Sequence, residues 1–81
     1  MEVNLRLKKH ILEVVNNQLR DNDPPIVKET FNRLIEEGHS KAKAKEMIGS
    51  VLVIEIYDML KENKPHDEER YARNLKALGK Q

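Results

Sequence analysis

The sequence contains no cysteine, no tryptophan and no long apolar run. Without cysteine, disulfide bonds, thiolate metal ligands and a cysteine nucleophile are excluded. No apolar segment approaches the roughly 18 residues that a membrane span needs, and the first residues lack the apolar stretch of a secretion signal. These absences predict a cytoplasmic protein without a membrane segment.

An excess of charge of one sign is also lacking, because 15 Lys and Arg residues against 14 Asp and Glu residues leave a formal net charge of +1. No strong overall field draws the chain to nucleic acid or to anionic lipid, so a basic site would have to be local. The sequence also has no glycine-rich phosphate loop, no zinc-binding His-Glu-x-x-His helix and no convincing nucleophile with its base. We assign no catalytic residue, expect no cofactor and disfavour an enzyme.

Apolar residues at three- and four-residue steps predict an all-α fold. The predicted helices cover residues 3–20, 24–37, 41–62 and 67–78. Short connections make consecutive helices antiparallel neighbours. Residues 51–54 are rich in β-branched side chains, so a buried strand is the alternative there, but no partner strand is present and the flanking residues favour helix. We predict one domain over residues 1–81, a small four-helix bundle-like domain with a long central third helix.

Residues at the predicted turns are suited to begin and end helices. We expect Asp23 to cap the second helix and Pro24 to occupy its first turn. Gly38 can adopt the left-handed conformation that closes this helix. Ser40 and Asp67 are suited to cap the third and fourth helices with their side-chain oxygens.

The third helix carries apolar residues on more than one face. Its second face contains Val53, Tyr57 and Leu60. Packing of the fourth helix over these residues is one explanation. The other is that the fourth helix covers them incompletely and a second copy or another protein completes the contact, since a chain of about 80 residues buries only about 60% of its surface. We favour a non-catalytic module that self-associates or binds another protein, with a homodimer as one form.

Polar residues also fall on inward-facing arcs of the predicted helices. Glu55 lies in the middle of the apolar arc of the third helix, Gln18 lies on that of the first, and His10 lies at its edge. A buried carboxylate must pair, bind a cation or stay protonated. His10 and Glu55 could therefore form a metal or acid–base site between these helices. The alternatives are a satisfied buried hydrogen-bond pair, or a Glu55 that faces solvent.

Three lysines at the start of the third helix, Lys41, Lys43 and Lys45, resemble the first turn of a helix-turn-helix reading helix. This pattern gives nucleic-acid binding as a further alternative. The near-neutral total charge argues against it, and a charge run at the start of a helix is usually a solvated face. We therefore disfavour nucleic acid as a partner.

Several segments, in this order and spacing, resemble a family of short prokaryotic helical proteins of undefined function, the domain-of-unknown-function 1841 type. The segments are His10-Ile-Leu-Glu-Val-Val-Asn-Asn-Gln-Leu, Asp23-Pro-Pro, Arg33-Leu-Ile-Glu-Glu-Gly, Ile48-Gly-Ser-Val-Leu and Glu55-Ile-Tyr-Asp. The resemblance implies a histidine at the position of Arg6 and further histidines near Ala42 and Glu46, a spread that suggests metal ligation. Of the histidines that the resemblance implies, this chain has only His10. The candidate ligands for a divalent metal are therefore His10, Glu46 and Glu55. The resemblance implies no reaction, substrate or partner.

Overall fold

Four α-helices make up the fold of residues 5–79, the part of the chain that the computed structural model describes. They are α1 (Leu5–Asp21), α2 (Pro25–Glu36), α3 (Lys41–Glu62) and α4 (Glu68–Ala77). Each described helix end lies within one residue of its predicted position, while residues 3 and 4 of the first predicted helix lie outside the described residues. The described part contains no strand, and none of its helices is long and apolar enough to cross a membrane.

The long helix α3 is the centre of the bundle, because it packs against α1, α2 and α4. This confirms the predicted all-α, four-helix architecture, and residues 51–54 are helical rather than extended. The fully or nearly buried apolar side chains come from all four helices. They are Ile11, Val15, Val27, Leu34, Ala44, Ile48, Val51, Leu52, Tyr71 and Leu75.

Two of the predicted helix caps are present. The Ser40 hydroxyl oxygen accepts a hydrogen bond of 3.1 Å from the Lys43 backbone N–H at the start of α3. The Asp67 carboxylate accepts one of 3.1 Å from the Arg70 backbone N–H at the start of α4. Each cap satisfies an N–H that the helix itself leaves without a partner. Gly38 has the predicted left-handed conformation, with φ of 103°.

The start of α2 differs from the prediction by one residue. Pro24, rather than Asp23, is the N-cap, and it makes no side-chain cap hydrogen bond. The reason is Pro25, because a residue that precedes proline is pushed out of the helical region. Pro24 is accordingly extended, with ψ of 150°. The helix begins at Pro25, and Asp23 lies too early in the chain to cap it.

Specific contacts hold the other helices in place around α3. A β-carbon at Gly49 would lie 3.1 Å from Cγ2 of Ile11, so α1 approaches α3 closely at the position where α3 has no side chain. Arg33 of α2 donates a hydrogen bond of 2.9 Å to the Leu75 carbonyl oxygen near the end of α4. The same guanidinium also pairs with Glu37 at 2.9 Å. Arg33 thus joins the ends of α2 and α4.

Two leucines offer a matched test of this core. Leu34 is completely buried, whereas Leu60 is 79% exposed. We expect Leu34→Ala to lower the free energy of unfolding by about 2–5 kcal/mol, because it leaves a cavity in the core. Leu60→Ala should change it by less than about 0.5 kcal/mol. Urea denaturation at low protein concentration measures both values, and equal effects of the two substitutions would contradict this assignment of the core.

Candidate functional site

Glu55 lies on the inward face of α3 and is completely buried. Its partners come from the beginning of α4. Oε1 accepts a hydrogen bond of 3.0 Å from Nε of Arg70, and Oε2 accepts one of 3.1 Å from Nη2 of the same guanidinium. Oε2 also accepts a hydrogen bond of 3.1 Å from the Asp67 backbone N–H. The buried charge is therefore paired by a two-pronged guanidinium contact, the strong geometry for a carboxylate.

His66 completes this group. Its Nδ1 lies 3.3 Å from Oε2 of Glu55, and the imidazole is 40% exposed. Its ring also packs edge-on against Tyr71, with 5.8 Å between the ring centroids. We call Glu55, His66, Asp67 and Arg70 the carboxylate cluster. No buried side-chain nitrogen or oxygen in the described residues lacks a hydrogen-bond partner, so the cluster is fully satisfied.

The hydrogen bonds from Arg70 hold the pKa of Glu55 below its ordinary value, and they outweigh the opposing effect of burial. The Asp67 backbone N–H and the charges of Arg70 and His66 act in the same direction. Glu55 therefore remains ionised at neutral pH. A carboxyl group that acts as a general acid near pH 7 needs the opposite shift. The arrangement is that of a structural ion pair.

The structure does not bring the three predicted metal ligands together. The His10 side chain is 76% exposed on α1, where its Nδ1 lies 4.0 Å from a Glu13 oxygen. Glu46 is exposed, and the nine residues that separate it from Glu55 place the two on opposite sides of α3, about 180° apart. Within residues 5–79 no group of three or more His, Cys, Asp or Glu side chains is arranged to hold a metal ion.

Gln18, the other polar residue predicted to point inward, is half-buried at the α1 end of a contact with α4. Its Oε1 accepts a hydrogen bond of 3.2 Å from the Tyr71 hydroxyl. Tyr71 is completely buried, and burial raises its pKa to about 12. The tyrosine is therefore neutral and serves as a donor that joins α4 to α1.

The three lysines proposed to meet nucleic acid lie in the first two turns of α3. Lys41 and Lys43 are exposed, and Lys45 is half-buried. The placement of α3 gives nucleic-acid binding no added support.

The second apolar face of α3 is exposed at its C-terminal half. Val53 is 40% exposed, Ile56 38%, Tyr57 62% and Leu60 79%. Val53, Tyr57 and Leu60 follow each other at steps of four and three residues, and Ile56 lies next to them, four residues before Leu60. We call these four residues the α3 surface. At its edge, Nζ of Lys61 lies 5.9 Å from the centroid of the Tyr57 ring. The fourth helix packs on the side of α3 that carries Glu55 and leaves this surface open.

The sequence prediction found Glu55 but missed Arg70 and His66. The predicted connection of residues 63–66 makes the third and fourth helices antiparallel, but in a symmetric hairpin position 55 lies opposite position 74, and Arg70 lies about one turn nearer the connection. Spacing alone therefore did not identify Arg70 as the partner of Glu55. His66 could not be found either, since its direction depends on the path of the connection.

Comparisons of this chain with protein-family models, with curated proteins and with solved structures find no match. The fold, the carboxylate cluster and the α3 surface define the class of protein. It is a small all-α bundle with a buried structural ion pair and an open apolar helix face. The resemblance to short prokaryotic helical proteins stays a prediction, and nothing about function follows from it.

We expect Glu55→Gln to lower the free energy of unfolding by about 1–3 kcal/mol at pH 7, because a charged hydrogen-bond acceptor is replaced by a neutral one. The folded-state pKa of Glu55 is lowered, so its stabilising effect is present above its ordinary value of 4.5 and declines as pH falls below that value. The difference between wild type and variant should therefore shrink steadily as the pH is lowered from 5 to 3. Thermal unfolding across this pH range tests it, and a difference that stays constant would contradict the role given to Glu55.

We expect Tyr71→Phe to lower the free energy of unfolding by about 1 kcal/mol, the usual contribution of one hydrogen bond. A double-mutant cycle with Gln18→Met separates this bond from the packing of the ring. The two substitutions together should cost less than the sum of their separate effects. Strict additivity in chemical denaturation would show that the hydroxyl and the amide do not interact.

Proposed function

We propose that this chain is a non-catalytic helical module of the cytoplasm that binds a protein partner through the α3 surface. The observation that carries the proposal is the exposure of Val53, Tyr57 and Leu60 side by side on the central helix. The partner is a second copy or another protein. This is the hypothesis from the sequence, and the open face of α3 supports it.

The exposed apolar residues of the α3 surface are significant because they are contiguous. Single exposed apolar side chains are normal on protein surfaces, whereas contiguous apolar patches mark sites of interaction. Tyr57 and Leu60 are three residues apart on one helix face, and Ile56 and Val53 extend the same patch toward the N-terminus of α3. In a chain of this length the core is small. Burying this patch in a complex would therefore add substantially to the apolar area that the folded chain buries.

The carboxylate cluster supports the non-catalytic part of the proposal. Its buried carboxylate is occupied by Arg70 and the Asp67 N–H, which leaves little capacity to bind or activate a substrate. Metal binding by His10, Glu46 and Glu55 and nucleic-acid binding by the three lysines remain predictions of other classes. The geometry favours the α3 surface over both.

Site-directed photo-crosslinking in the cells that make the protein tests this proposal. A benzophenone-bearing phenylalanine analogue replaces Tyr57, which is 62% exposed, and in a control chain it replaces Asn32, which is exposed on α2. We expect irradiation to give a covalent protein adduct from position 57 and none from position 32. Adding Leu60→Asp should abolish the adduct, because a charge is buried in the contact.

The adduct counts whether the attached protein is a second copy or a different chain. No adduct from position 57, or equal yields from positions 57 and 32, would overturn the proposal. Because both positions are exposed, we expect the substitutions to leave the helices intact. Circular dichroism of each variant checks this.

A further inference from the structure

We propose, on the basis of the function proposed above, that the partner is a second copy of this chain, bound so that the two α3 helices run antiparallel. Three residues of the α3 surface, Val53, Tyr57 and Leu60, then belong to a longer stripe that begins at an exposed acidic residue and ends beside an exposed basic residue.

The stripe continues the α3 surface toward the N-terminus of the helix. Its members lie at alternating steps of four and three residues. They are Glu46, Ser50, Val53, Tyr57 and Leu60. All five are exposed. This is the spacing with which two helices pack along each other in a coiled coil, and it covers about 20 Å of the helix axis at a rise of about 1.5 Å per residue.

Opposite charges mark the two ends of the stripe. Glu46 lies at the N-terminal end, and Lys61 lies beside Leu60 at the C-terminal end. Within the described residues neither of them has an ion-pair partner, and the Lys61 ammonium lies over the Tyr57 ring of its own helix. A parallel pair of α3 helices would place each charge next to its own copy. An antiparallel pair places Glu46 of each chain within about one helical turn of Lys61 of the other.

The sizes of the side chains fit the same arrangement. With the two-fold axis near residue 55, Val53 of one copy lies opposite Tyr57 of the other, and Ser50 lies opposite Leu60. Each large side chain thus faces a smaller one, as close packing of two helices requires. The stripe is complementary to itself when reversed, which is the condition for a two-fold symmetric interface. A different protein would have to supply this pattern of charge and size independently.

Charge reversal tests the proposal on the full-length chain by sedimentation equilibrium over a range of concentrations. We expect wild type to dimerise. Glu46→Lys and Lys61→Glu should each weaken dimerisation by about tenfold, because two symmetric contacts change from attraction to repulsion. The dissociation constant of the double variant should return to within about twofold of the wild-type value. Lys28→Glu, an exposed charge reversal on α2, is the control and should leave the dimer unchanged.

The outcomes separate this inference from the proposed function. A wild-type dimer that is insensitive to both single reversals, or single reversals that the double variant does not rescue, would overturn the antiparallel arrangement. An adduct from position 57 that contains only a different protein would overturn self-association but leave the proposed function standing. A monomer at every concentration together with no adduct from position 57 would overturn both.

Discussion

The buried ion pair between Glu55 and Arg70 is the interaction on which the arrangement of the helices depends. A carboxylate in the middle of the apolar face of α3 is costly unless it has partners, and those partners are all at the beginning of α4. The fourth helix therefore has to lie over this position. Its apolar residues Tyr71 and Leu75 then enter the core beside the ion pair. Replacing such a pair by apolar residues often stabilises a protein. We interpret the Glu55–Arg70 ion pair as the interaction that determines which face of α3 is covered by α4.

This choice of face leaves the other apolar side of α3 open. α4 can cover only one side of the central helix, and the carboxylate directs it away from Tyr57 and Leu60. α1 occupies the region around Gly49, where the absent side chain allows close approach. The C-terminal half of the second face then remains exposed, most of all at Tyr57 and Leu60. The exposed apolar stripe and the buried charge are consequences of the same packing.

Sequence reasoning predicted the helices well because their signals are local. Apolar spacing defined all four, and Ser40, Asp67 and Gly38 marked ends that depend only on neighbouring residues. The start of α2 was wrong by one residue because the effect of Pro25 on Pro24 was given too little weight against the capping tendency of Asp23. The inward position of Glu55 followed from its place on the helix. Its partners did not, since which helices meet and at what height depends on packing that periodicity does not contain. For the same reason periodicity could not show what His10 contacts, and its imidazole lies beside Glu13 on α1.

Asp67 contributes to α4 in two directions at once. Its side chain accepts the Arg70 N–H that begins the helix, and its own N–H binds Glu55, which in turn holds the Arg70 guanidinium. The same residue thus sets where α4 begins and where it attaches to α3. A helix of ten residues is only marginally stable in water on its own. We therefore expect that α4, once released from α3, loses most of its helical structure rather than swinging away as a rigid arm, so that docking and helix formation are coupled in this segment.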